Sequence, residues 1–213
     1  MKHYLSMAAL LWLSVTTLFA QDDKTNEVNL AGTFSLGTRN TFSMLNNDHV
    51  IGKGIGGQIR LQMSDRINTE WFLDYITSHN KTYTSRNDYD FGWSIMYYPG
   101  KEIHFDKLLQ PFILAGHCFS YSKVTEQDNT VNYADRWTMA AHAGLGTHIN
   151  ITPRFDCSLS ARYMLYFGKD IETTTENDKV IIEKEKFTTP YGHLLFSVSV
   201  NYKLFHLWNS KKI

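Results

Sequence analysis

Cysteine is nearly absent from the 213-residue chain: Cys118 and Cys157 are the whole supply. That excludes a disulfide scaffold and a cysteine-built zinc module. Four prolines and thirteen glycines exclude collagen-like and proline-rich classes. There is no excess of either charge, with 21 Lys and Arg against 21 Asp and Glu, so the basic footprint of a general nucleic-acid binder is missing. Beyond the N-terminus no apolar run reaches the roughly 18 residues of a membrane-spanning helix. Aromatic residues are plentiful, with 12 Tyr, 13 Phe and 5 Trp, too many for a disordered chain. Length alone favours one domain.

Residues 1–20, MKHYLSMAALLWLSVTTLFA, carry a short basic start, an apolar stretch from Met7 to Leu13 and a Ser/Thr-containing run to Ala20. This is the layout of a secretory signal peptide, with cleavage expected after Ala20. Residues 21–27 then form a short polar segment.

From there the apolar residues recur with period two. Five strong segments show it. Ile67–Thr77 sets Ile67, Trp71, Leu73 and Tyr75 against Asn68, Glu70 and Asp74. Tyr89–Tyr97 sets Tyr89, Phe91, Trp93, Ile95 and Tyr97 against Asp90, Gly92 and Ser94. Trp137–Thr147, Phe155–Leu165 and Leu194–Leu204 repeat the pattern. Weaker strands fit at Val28–Gly37, Ile55–Met63 and Gln110–Ser120, which makes eight. Connections of a few residues, such as Ser64-Asp65-Arg66, alternate with long polar ones at 38–54, 78–88, 121–136 and 167–188. An all-β, eight-stranded antiparallel up-and-down transmembrane barrel over 28–205 has this asymmetry. Residues 206–213 form a tail.

Alternation does not by itself say which face meets water. The apolar face carries no charge in the five strong strands, as contact with hydrocarbon demands. Its aromatics fall near strand ends, Tyr89 and Trp137 on the loop side and Tyr97, Phe155 and Tyr202 on the turn side, like two interfacial girdles. The other face carries Arg60, Glu70, Asp74, Asp156, Arg162 and Lys203. These suit a narrow polar lumen where charges pair, and would be costly in an apolar calyx.

With these segments, Leu109-Gln-Pro-Phe112 opening strand five and the aromatic-ended Val200-Asn-Tyr-Lys-Leu-Phe205, the chain resembles the small bacterial outer-membrane barrels of the OmpA/OmpX type, loosely called porin-family proteins. The resemblance implies residence in the bacterial outer membrane, contact with its lipid, and recognition of the last strand by the barrel-assembly machinery. The resemblance says little about the task, and the leading expectation is a non-enzymatic protein with a plugged polar lumen, acting in envelope integrity, adhesion or surface interaction through its long external loops. The alternatives are a narrow solute channel, a lipid-modifying enzyme and a component of a secretion apparatus.

The search for chemistry returns structural answers. His142, His148 and His193 fall on the lumen face at different depths, without a metal-ligand spacing. No cofactor is expected. His117 and Ser120, three residues apart, leave opposite faces of a strand and form no nucleophile–base pair. Gly52-Lys-Gly-Ile-Gly-Gly57 lacks the βαβ context of a phosphate loop, and its glycines suit barrel curvature. The segment 167–188 predicts a hairpin, Glu172–Thr175 with Lys179–Glu183, extending strands seven and eight outward and able to capture a protein partner by edge pairing. Cys118 and Cys157, on strands separated by strand six, are expected to stay free thiols.

A three-residue turn at 64–66 predicts the register of strands two and three: Met63 opposite Ile67, Leu61 opposite Thr69, Gln62 opposite Asn68, Ile59 opposite Trp71 and Ile55 opposite Tyr75. The same register sets Arg60 against Glu70 and predicts an ion pair between them, with Asp74 or Arg162 nearby.

Overall fold

The computed structural model describes residues 31–45, 51–80, 83–99, 108–176, 179–184 and 190–208. Ten strands form: β1 (Thr33–Leu45), β2 (Ile51–Ser64), β3 (Ile67–Asn80), β4 (Thr84–Tyr97), β5 (Leu109–Glu126), β6 (Tyr133–Asn150), β7 (Phe155–Phe167), β8 (Ile171–Glu176), β9 (Lys179–Lys184) and β10 (Tyr191–His206). Eight of them close into one antiparallel barrel in the order β1-β10-β7-β6-β5-β4-β3-β2, while β8 and β9 pair only with each other. The signal peptide, the 21–27 segment, the turn at 177–178 and the last residues of the tail lie outside the described residues.

The ladder starting at Ser35 runs through Arg60, Glu70, Ser94, Gly116, His142, Met164 and His193 and returns to β1 at Leu45, ten residues further on. That stagger tilts the strands and leaves an interior just wide enough to be filled by side chains. Period-two burial divides each strand, so that along β4 Asp88, Asp90, Ser94 and Met96 point in while Tyr89, Phe91, Ile95 and Tyr97 point out. The outward belt is apolar, and Ile55, Leu73, Phe91, Ile113, Leu145 and Val200 all stand exposed on it. An outward apolar belt around a charged interior is the inside-out pattern of a transmembrane barrel.

Three expectations about boundaries are corrected. The first strand is Thr33–Leu45, displaced well past the expected Gly37 end. Its lumen face, Ser35, Arg39, Thr41 and Ser43, is polar, but its outer face includes Thr38 and Asn40, which blurs the alternation. Most of the expected loops at 78–88 and 121–136 are strand, because β3, β4, β5 and β6 continue past the apolar belt. There polar and apolar residues are mixed on both faces, Lys123 beside Val124 and Ala134 beside Asp135, so backbone pairing persists without a clean hydrophobic contrast. Finally, the last strand continues one residue past Phe205 to His206, which pairs with Thr33. Leu207 donates its N–H to Gly32 O, and Gly32 donates to Gln62 O. Gly32 has φ +85°, and a Cβ there would collide with the Trp208 backbone, so this junction requires glycine.

The register between β2 and β3 agrees with the expectation from Leu61↔Thr69 and Gln62↔Asn68 through Arg60↔Glu70, Ile59↔Trp71 and Ile55↔Tyr75. At the turn it differs: Ser64, and not Met63, faces Ile67, with an irregularity between Gln62 and Ser64. A bulge at Met63 and a two-residue turn at Asp65-Arg66 absorb the odd residue while keeping Arg60 and Glu70 on one face.

Candidate functional site: a filled lumen and a covered mouth

Near the turn end, Arg60 on β2 reaches across the barrel to Asp156 on β7. Its Nη2 lies 2.7 and 2.6 Å from the two carboxylate oxygens. Its Nη1 lies 3.0 Å from His148 Nδ1, which is also 2.7 Å from Ser158 Oγ. The other face of that imidazole meets the Tyr98 hydroxyl, 2.9 Å from Nε2, and Asn68 donates to the same hydroxyl. Lys203 Nζ lies 3.7 Å from Asp156 Oδ2. These side chains line a pocket of about 30 Å³, room for a water or two.

The expected Arg60–Glu70 ion pair therefore does not form. The two residues face each other on the ladder, but both project inward, and Arg60 is long enough to reach a carboxylate on the far wall. Glu70 is held by two other arginines, Arg162 at 3.0 Å and Arg39 at 3.3 Å. Arg39 also pairs through Nε with Asp74 at 3.1 Å, and Thr41 donates to Asp74 at 3.2 Å. Both guanidinium carbons sit over the Phe72 ring, at 4.5 and 4.8 Å. Two cations and two anions, each 3% exposed or less, thus neutralise one another at mid-barrel. Buried ions hold only when matched in this way, since each lone charge would cost several kcal/mol.

Of the six expected lumen charges, the structure places Arg60, Asp156 and Lys203 in the turn-end cluster and Glu70, Asp74 and Arg162 in the middle one. Arg39 was missed, because its segment reads as loop. The glycine run in β2 holds the signal that could have found it. A Cβ on Gly56 would strike Asp74 Oδ1 and the Leu73 carbonyl, so the bare backbone there clears the path by which Arg39 on β1 reaches Asp74 on β3. An apolar layer of Phe72, Ile76, Cys118, Ala140, Met164, Tyr166, Tyr191 and Leu195 packs alongside.

The mouth carries a third cluster. Arg86 Nε lies 3.0 Å from Asp88, and its Nη1 lies 3.2 Å from Asp170 Oδ1. Arg136 Nη2 approaches the same oxygen at 3.0 Å, and its Nη1 donates to the Lys169 carbonyl at 2.8 Å. Just beyond Asp170 the β8–β9 hairpin begins. It pairs from Ile171↔Lys184 to Glu176↔Lys179, close to the expected limits. Its direction differs from the expectation: it does not continue the barrel strands. Ile171, Val180 and Ile182 pack on Val124 and Ala134, the inward face of the β5–β6 extension, and Asn132 donates to the Val180 carbonyl at 2.8 Å. The hairpin leans over the mouth, where its apolar residues find cover.

Outside, Tyr89 and Trp137 belong to a run of rings, with Tyr75–Tyr89 at 4.9 Å, Tyr89–Tyr121 at 6.2 Å and Tyr121–Trp137 at 5.0 Å. On the turn side Phe155 meets Tyr202 at 4.7 Å, and Tyr97 also faces out. Among the described residues serine meets histidine at Ser94–His142, 2.9 Å, and at Ser158–His148, and all four residues are buried in the lumen. His117 points outward and Ser120 inward. Among the described residues no group of His, Cys, Asp and Glu is arranged to hold a metal ion, and both cysteines are free.

The fold is that of a small transmembrane barrel of eight strands. Solved structures share it: a major outer membrane protein from Thermus thermophilus (TM-score 0.56, 10% identity, 81% of this chain and 99% of that one) and the Neisserial surface protein A (0.51, 16%, 82% and 98%). OprG from Pseudomonas aeruginosa is similar at a TM-score of 0.50 and 14% identity, covering 84% of this chain and 98% of that one. At such identities the likeness concerns fold. No protein-family model and no curated sequence matches the chain.

Proposed function

We propose that the protein is a non-enzymatic barrel of the bacterial outer membrane, delivered by a cleaved signal peptide, that works through its projecting surface in envelope integrity, adhesion or surface interaction. The observation carrying this reading is the filled lumen. Three ion-pair clusters and an apolar layer stack along the axis, and the polar pocket beside Arg60 and Asp156 holds about 30 Å³. A solute path needs a continuous aqueous bore, and a hydrolytic site needs access to its nucleophile. What the molecule offers to its surroundings is the β5–β6 extension with its exposed Val131 and Tyr133, and the β8–β9 hairpin whose outer face carries Glu172, Glu176, Lys179 and Glu183. The apolar belt and ring girdles meet lipid, and β10, which closes the barrel against β1, is the strand read during assembly.

Replacing residues 169–186 with a short Gly/Ser link tests the reading. The shortened protein should still fold and show heat-modifiable migration on gels, while cell-surface attachment or envelope resistance falls. Undiminished phenotypes in a folded shortened barrel would place the function elsewhere.

A further inference from the structure

Ownership of the charges at the mouth is uneven. Arg86, Asp88 and Arg136 stand on barrel strands β4 and β6, whereas Asp170 belongs to the link between β7 and the hairpin. One oxygen of Asp170 gathers three donors: Arg86 Nη1 at 3.2 Å, Arg136 Nη2 at 3.0 Å and the Ile171 N–H at 2.8 Å. If the hairpin lifts and takes Asp170 with it, Arg86 keeps Asp88, while both guanidinium groups lose the carboxylate that they share. Arg136 is 5% exposed, yet its Nε and Nη2 have no well-aligned acceptor among the described residues. The same holds for the buried hydroxyl of Tyr191, on whose ring the Arg136 guanidinium rests at 4.5 Å. With Asp170 in place these donors still lack a well-aligned acceptor, and a tetrahedral oxyanion presents more oxygens in more directions than a planar carboxylate does.

We propose that Arg86 and Arg136 form an anion site in the mouth which Asp170 occupies as an internal stand-in, and that a soluble phosphate-bearing ligand takes its place and frees the β8–β9 hairpin. The site faces the lumen, behind the strand wall, so a headgroup in the surrounding bilayer does not reach it. Occupation by phosphate and lifting of the hairpin are then coupled, each favouring the other. The inference deepens the surface reading above by giving the hairpin a trigger, but anion binding does not depend on what the freed hairpin contacts.

The test uses the full mature chain, refolded in a phosphate-free maltoside detergent, with inorganic phosphate as the probe and chloride at matched ionic strength as control. Phosphate should raise amide exchange in 171–176 and 179–184 and leave the barrel strands unchanged. Asp170→Asn, which keeps the shape and removes the competing charge, should bind phosphate about tenfold more tightly by calorimetry. Arg136→Gln should abolish both responses. Equal responses to chloride and phosphate, or an Asp170→Asn protein that binds phosphate no better than the parent, would overturn the proposal. Either result is separate from the attachment phenotype, which reads the hairpin's task and not its latch.

Discussion

The Arg60–Asp156 cluster at the turn end and the Arg86–Asp170 cluster at the mouth use the same chemistry under different constraints. At the turn end both partners grow from barrel strands, β2 and β7, and the contact is buried, with Arg60 Nη2 reaching both carboxylate oxygens of Asp156. At the mouth the arginines are fixed, but their shared carboxylate hangs on a link ahead of a hairpin that is bound by a small apolar cluster. An ion pair between rigid walls can only lock. One that joins a wall to a separate element can hold and release, because local opening costs less than unfolding the barrel.

Breaking the enclosed pairs should therefore cost most. Arg39→Met leaves Asp74 without its cation at mid-barrel and should lower stability by about 3–5 kcal/mol in urea titrations of the refolded protein. Adding Asp74→Leu should recover much of that loss, since no lone charge then remains; a double replacement as costly as the single one would contradict the pairing. Gly56→Ala should cost about 1–3 kcal/mol by the same measurement, because its methyl group meets Asp74 and the backbone of β3. A double-mutant cycle should give a coupling of about 0.5–3 kcal/mol for Arg60 with Asp156. Arg60 with Glu70 should couple more weakly, and the reverse ranking would restore the pair that the ladder alone suggests. Smallest of all, Asp170→Asn should change global stability by less than about 1 kcal/mol, while amide exchange of the hairpin quickens. A large global loss there would erase the distinction between the two clusters.

The sequence makes the wall more legible than the contents. Tyr89 to Tyr97 alternates so cleanly that its facing survives intact, and the short turn at 64–66 carries enough register information to set Arg60 opposite Glu70. Facing partners on a ladder are nevertheless not contacting partners. In a barrel this narrow a long side chain crosses the lumen, and Arg162 on β7 meets Glu70 on β3 from nearly the opposite wall. Period-two alternation carries no information about such crossings. Arg39 escaped for another reason: Thr38 and Asn40 on the outer face remove the contrast that marks a strand. The mouth residues Arg86, Asp88 and Arg136 lie in stretches that read as loop, where strand pairing continues without a clean alternation, and Asp170 lies in the link after β7. The hairpin's existence could be read from Thr-rich and Val/Ile-rich segments flanking a turn, but its inward lean depends on Val124 and Ala134, far away in sequence.

Central to the account is that the lumen is closed by the barrel's own side chains and not by the hairpin alone. Single-barrel recordings in planar bilayers test this most directly, comparing the intact protein with one lacking residues 169–186. Both are predicted to be electrically silent, because the Arg39–Glu70–Arg162 and Arg60–Asp156 clusters remain in place. Discrete conductance steps that appear once the hairpin is removed would mean that the lumen is a gated pore with the hairpin as its plug.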